Sequence, residues 1–159
     1  MLPLLDIAST ATPPAGFEQA GFDDSAWNTG SAAFGTPSPG GGAGTPCPLQ
    51  STDQTPSSIS TDLLVRRNIS IPSGATNVRI LISVDNEVIG LFFNGTQLPG
   101  MPQVGDCPRR DDYIFDVPAE LVQSGVDDQG KPKKNTVVYH LRDEGGEDFF
   151  DTRIIANLH

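Results

Sequence analysis

Basic residues are scarce in this chain. Ten Lys and Arg stand against twenty Asp and Glu, a formal net charge of −10. Phosphate recognition needs a concentrated Lys/Arg surface, so nucleic acid is a poor partner class. Anionic membrane surfaces are disfavoured for the same reason, and the acidity reads as a device for solubility. Long apolar runs are missing too. None approaches the roughly 20 residues of a helical span, so no membrane insertion is expected. The opening, MLPLLDIAST, has no basic leader and only a very short apolar segment, so no secretory leader is expected at this end. The two histidines, His140 and His159, are far apart in sequence and there is no CxxC, so no metal site is expected from them. The two cysteines, Cys47 and Cys107, are each followed by Pro in a loop-like context. They are either a disulfide joining two loops, which would stabilise the fold by about 3–4 kcal/mol, or two free thiols. Free thiols would suit apolar buried sites better, which favours the disulfide. Paired acids at a spacing that selects them for acid/base work are also lacking, as is a Ser or Cys nucleophile beside His140, so no catalytic residue is singled out and no enzyme is expected.

What is present is extended structure. At 159 residues the chain is one domain, large enough to bury a full core without cross-links. Its centre is the stretch 62–98, DLLVRRNISIPSGATNVRILISVDNEVIGLFFNGTQL. Runs of Val, Ile, Leu and Phe are separated there by Pro72-Ser73-Gly74 and Val84-Asp85-Asn86, the signature of antiparallel strands. In the first run a period of two puts Val65, Arg67, Ile69 and Ile71 on one face. A charge among core residues needs a carboxylate partner or a place near the sheet end. Asp85 is a candidate partner for Arg67, and a ligand reached by the guanidinium is the alternative. The third run, 87–93, is apolar on both faces and reads as a central strand covered on both sides. Asn94-Gly95 suits a type I′ hairpin turn. Asn94-Gly95-Thr96 and Asn68-Ile69-Ser70 match glycosylation acceptors, but a tight turn and a mid-strand position make both chance matches. Further strands are expected over 112–117, 135–141 and 150–158, with a single helical turn or bend at 118–122.

The rest is loop. Residues 1–15, apolar and then Pro-rich, read as an arm or a short edge strand. In GFDDSAWNTGSAAFGT, Asp23, Asp24 and Ser25 set a turn, and Trp27 reads best as a core residue that pins the loop, with a stacking platform for a sugar as the alternative. Residues 37–60 form a long polar loop without chemistry of its own. Arg109, Asp111 and Tyr113 lie close together in or beside the loop 99–111, as either a solvated charge network or a polar ligand site with Tyr113 as stacking partner. The acidic run 143–151 offers Asp143, Glu144, Glu147 and Asp148 as oxygen ligands for a structural calcium, but it lacks the alternating spacing of a calcium loop and reads better as a plain acidic turn. No other cofactor is expected.

The order of these features resembles the galactose-binding-like β-sandwich, the jelly-roll domain of many glycoside hydrolases and of bacteriophage tail and virion proteins. The matching residues are Phe22-Asp23-Asp24-Ser25-Ala26-Trp27, Val65-Arg66-Arg67, Asp85-Asn86, Asn94-Gly95 and Asn135. Asn86 stands where that pattern has a second acid. The resemblance implies an all-β fold, an antiparallel jelly-roll sandwich of about eight strands over residues 16–159. It further implies a glycan-binding or adhesion module, with Arg67, Asp85, Arg109, Asp111 and Tyr113 as ligand-binding candidates and a glycan or cell-surface polysaccharide as partner. The alternative is a structural component of a bacteriophage capsid or tail, in contact with other virion proteins or its own copies. Either implies a virion or extracellular setting.

Overall fold

A computed structural model describes residues 5–10, 12–35, 55–56, 61–85, 87–101, 109–142 and 148–158. The acidic segment 143–147, with three of the four calcium candidates, lies outside the described residues, as do Asn86, Cys47 and Cys107.

The fold is an all-β sandwich of eleven strands among the described residues, more than the eight expected. One sheet has the order β2-β1-β5-β10-β7-β8 and the other β4-β3-β11-β6-β9. The long strands are β5 (Asp62–Ile69), β6 (Thr76–Asp85), β7 (Glu87–Phe93), β10 (Asn135–Arg142) and β11 (Phe149–Asn157), and β9 spans Tyr113–Asp116. All fall where the apolar alternation placed them. The surplus comes from β2 (Asn28–Gly30), β3 (Phe34–Gly35), β4 (Thr55–Pro56) and β8 (Thr96–Gln97), none longer than three residues. All pairings are antiparallel except β3 with β4.

Three placements differ from expectation. Residues 5–10 form β1 (Leu5–Thr10), hydrogen-bonded between β2 and β5 inside the six-stranded sheet. Leu5 and Ile7 are buried there, so this part of the N-terminal segment belongs to the sandwich. Strand β7 lies next to the edge, with only the two-residue β8 beyond it, and the central positions go to β5 and β10. Trp27 is half-buried and outside the core, its ring 5.7 Å from that of Phe22.

The core lies between the sheets. Phe34, Val65, Ile80, Ile82, Leu91, Phe93 and Val137 are fully buried, with Tyr139 and Phe150 close behind. The Tyr139 and Phe150 rings meet at 5.0 Å. The Tyr139 hydroxyl lies 2.9 Å from Thr152 Oγ1, joining the two sheets. Thr152 Oγ1 donates to the Leu81 carbonyl at 3.1 Å. Its single proton is used there, so Tyr139 is the donor across the core. Burial pushes the Tyr139 hydroxyl well above the usual tyrosine range.

The outer face of the six-stranded sheet is covered by residues 12–27, and Arg66 holds that cover down. It is 1% exposed. Its Nε donates to Asp24 Oδ2 at 2.7 Å, and its Nη1 donates to the carbonyls of Phe17 at 2.5 Å and Gln19 at 3.1 Å. Its guanidinium carbon sits 5.4 Å from the centre of the Phe22 ring. Phe17 meets Phe92 and His140 edge-on, each at 5.6 Å. The Phe92 ring lies over Gly90, where a β-carbon would come within 2.6 Å of it. Of the two adjacent arginines, Arg66 is the one that is buried and paired.

The Asn94-Gly95 turn forms as expected, with φ of 51° and 83°. Asn94 also belongs to a polar knot. Its Nδ2 donates to Leu121 O at 2.8 Å and Asn135 Oδ1 at 2.9 Å. The fully buried Asn135 donates to Gln123 O at 2.7 Å and accepts from Gln123 N–H at 2.8 Å. The knot ties the β7–β8 hairpin to the start of β10 and to the 3-10 turn Ala119–Leu121.

Candidate functional site

The five residues expected at a site are divided among three places. Arg67 lies at one end of the sandwich, with Ile69, Ile71, Val78 and Ile154. Asp85 lies at the other end, beside Thr61, Leu63, Arg142 and Asp148. Strands β5 and β6 face each other across the core in opposed directions, so the start of one lies over the end of the other. Arg67 and Asp85 are therefore not partners. The crevice beside Asp85 has a volume of about 10 Å³, room for roughly one water molecule.

Of the remaining three candidates, Arg109 and Asp111 lie in the short loop before β9, where Asp111 is held against the outer face of the five-stranded sheet, and Tyr113 begins β9 with its ring turned to the core instead. Two-residue alternation on β6 sends Val78, Ile80, Ile82 and Val84 inward and leaves Leu81, Ser83 and Asp85 on the outer side. On β11, Asp151 pairs with Ser83 and Arg153 with Leu81. The loop folds back over this face. Asp111 takes a positive φ of 56°, and its N–H donates to Ser83 Oγ at 2.9 Å. Its carboxylate accepts two hydrogen bonds from the Arg153 guanidinium, Nε to Oδ1 at 2.9 Å and Nη2 to Oδ2. The loop is closed by the Arg109 N–H, which donates to Asp112 Oδ2 at 2.6 Å.

Asp151 completes the cluster. Partial loss of solvent raises its carboxyl above the ordinary range, and the neighbouring Asp111 carboxylate adds to the rise. The Thr152 N–H bond, Arg110 and Arg153 act against it. Ile114, 56% exposed, adds an apolar patch opposite Leu81. Tyr113 packs half-buried against the core, and that burial, with the charge of Asp112, raises its hydroxyl. The result is a face on which two carboxylates and a guanidinium stand together beside the exposed Ile114. Such planar groups bond vicinal hydroxyls in pairs, as bidentate recognition requires.

Sequence reasoning missed Asp151 and Arg153. Their alternation in FDTRI would have put them on one face, but which face carried the loop was not legible. It also missed Asp62, which is buried at the start of β5. Asp62 accepts from His140 Nε2 at 2.7 Å, and from Arg142 Nε at 2.8 Å and Nη2 at 3.1 Å. His140 thus joins the buried Asp62 and the half-exposed Arg142 in a cluster beneath Phe17. Among the described residues, no group of three or more His, Cys, Asp or Glu is placed to hold a metal ion.

Neither a protein family nor a curated protein matches the chain. A solved structure does. The crystal structure of a glycosyl hydrolase family 2 member from Bacteroides cellulosilyticus superposes with a TM-score of 0.55 at 14% identity. The likeness is one of fold. It covers 94% of this chain and 20% of that one, so this chain spans about a fifth of the length of its structural neighbour.

Proposed function

We propose that this chain is a non-catalytic carbohydrate-binding module, and that it meets its glycan on the outer face of the five-stranded sheet through Asp111, Asp151 and Arg153, with Ile114 as an apolar shelf. The observation that carries this reading is the locked Asp111–Arg153 pair beside Asp151 on the outer face. Sugar rings present paired hydroxyls, and a rigid donor–acceptor pair meets them without a large ordering cost. A neighbour named as a glycosyl hydrolase, in which this fold makes up a fifth of the chain, supports a sugar-directed role. The sequence resemblance adds the setting, display on an extracellular or virion surface.

A glycan array probed with the intact protein tests this. Binding to a defined set of glycans is expected, and Asp111→Ala and Arg153→Ala should each weaken it by about tenfold or more. Both side chains are partly exposed, so stability should change by less than about 1 kcal/mol. No binding to any glycan, with stable self-association in sedimentation, would replace this reading with that of a structural virion component.

A further inference from the structure

Arg67 lies towards the end of β5. Its strand places it on the core face with Val65 and Ile69, yet it is half-buried, and among the described residues no ion pair or hydrogen bond engages its guanidinium. It opens instead into a groove of about 310 Å³ at the mouth of the sandwich. The walls are Ile69, Ile71, Val78, Ile154 and, at the rim, Leu158, which is 68% exposed. Among the described residues, no acidic side chain lines the groove. Its inner wall is continuous with the core, since Ile71 and Val78 are buried and Ile69 and Ile154 pack against the same cluster.

We infer that this groove is a binding site, separate from the sheet face, for a small amphiphilic monocarboxylate, with the carboxylate on Arg67 and the aliphatic part against Ile69, Val78 and Ile154. An unpaired guanidinium in an apolar recess is a poor arrangement in water and a good one for an anion with an apolar body. The groove is at the lower end of the volumes that hold small ligands. The selectivity comes from charge, because the walls treat a carboxylate and an alcohol of equal length alike. The site lies at the end of the sandwich away from Asp85, so it does not depend on the glycan reading.

The test is an NMR titration of the ¹⁵N-labelled full chain with sodium hexanoate, against hexan-1-ol as the uncharged control. Hexanoate should shift amides around Arg67, Val78 and Ile154 and bind about tenfold more tightly than hexan-1-ol. Arg67→Met should remove that preference. Leu158→Glu, at the exposed rim, should weaken hexanoate binding by repulsion without touching the core, and it keeps the test decisive if Arg67→Met unfolds. Equal binding of the two probes, no binding, shifts that map elsewhere, or unchanged affinity in Leu158→Glu would overturn the inference.

Discussion

Arg66 and Arg67 are adjacent on one strand and face opposite sides of one sheet. The side facing residues 12–27 has a carboxylate and two carbonyls waiting, and the side facing the sandwich mouth has mostly apolar walls among the described residues. Replacing Arg66 with Met strands Asp24 and two carbonyls under the loop, and should cost about 3–5 kcal/mol in urea unfolding. Arg67→Met removes no partner among the described residues and should leave stability within about 1 kcal/mol of the parent, or raise it. Asp62 gives a pH signature. Burial alone would raise its carboxyl, but the hydrogen bonds and charges of Arg142 and His140 outweigh burial and hold it below the ordinary value of 3.8. A carboxyl lowered on folding contributes stability that is fully present above that ordinary value and is lost as pH falls through the lower folded one. Asp62→Asn should therefore cost about 2 kcal/mol at pH 7, and the gap to the parent should narrow below about pH 4. A gap that stayed constant down to pH 2 would show that the Asp62 charge is not what holds the cluster.

Among elements, length decided what could be foreseen. Strands of seven to ten residues such as β5, β6, β7, β10 and β11 show several periods of alternation, and their bounds are legible within about two residues. Strands of two or three residues have no period, so β2, β3 and β4 left no trace in the sequence, and β8 is legible only through the Asn-Gly turn before it. The apolar stretch that reads as a central strand turned out to be β7, beside the edge. Its second apolar face is covered by Phe17 from a loop rather than by more sheet, and period alone cannot tell the two apart. The same limit applies to the site. Asp111 was legible as part of a polar loop, whereas its bond to Arg153 needed the pairing of β11 with β6, and the contact of Asp62 with Arg142 needed the register of β5 with β10. The tight hairpin was legible because Asn-Gly states its own backbone requirement. Gly95 sits at φ 83°, and a β-carbon there would lie 2.9 Å from the Gln19 side-chain oxygen. Gly95→Ala should cost about 1–2 kcal/mol, mostly from the left-handed backbone, because Gln19 can move aside. Asn135→Ala breaks the knot that anchors this hairpin and should cost about 2–4 kcal/mol, from the hydrogen bonds to Gln123 and Asn94 that this fully buried side chain makes. Both are measurable by thermal unfolding against the parent.

For the molecule as a whole, the N-terminal segment decides between a detachable arm and an integral strand. An arm that joins subunits could be removed with little effect on the fold and a clear effect on assembly. Strand β1 has a different position. It pairs with β5 from Asp6↔Arg66 to Thr10↔Asp62 and with β2 from Leu5↔Gly30 to Ile7↔Asn28. Removing residues 1–10 therefore takes a strand from inside the sheet, strips β2 of its partner and leaves β5 as an open edge. Leu5 and Ile7 are 2% and 9% exposed, and losing two buried aliphatic side chains alone forfeits about 3–6 kcal/mol. That is comparable with the whole stability of a typical domain. The bare β5 edge would carry unpaired backbone groups above an apolar face, which is a template for edge-to-edge association. The truncated chain should be largely unfolded by circular dichroism or, where it folds, should sediment as polydisperse aggregates rather than as a smaller defined species. A folded, monodisperse truncation would show that β1 adds little to the sandwich and would return the segment to the role of an arm.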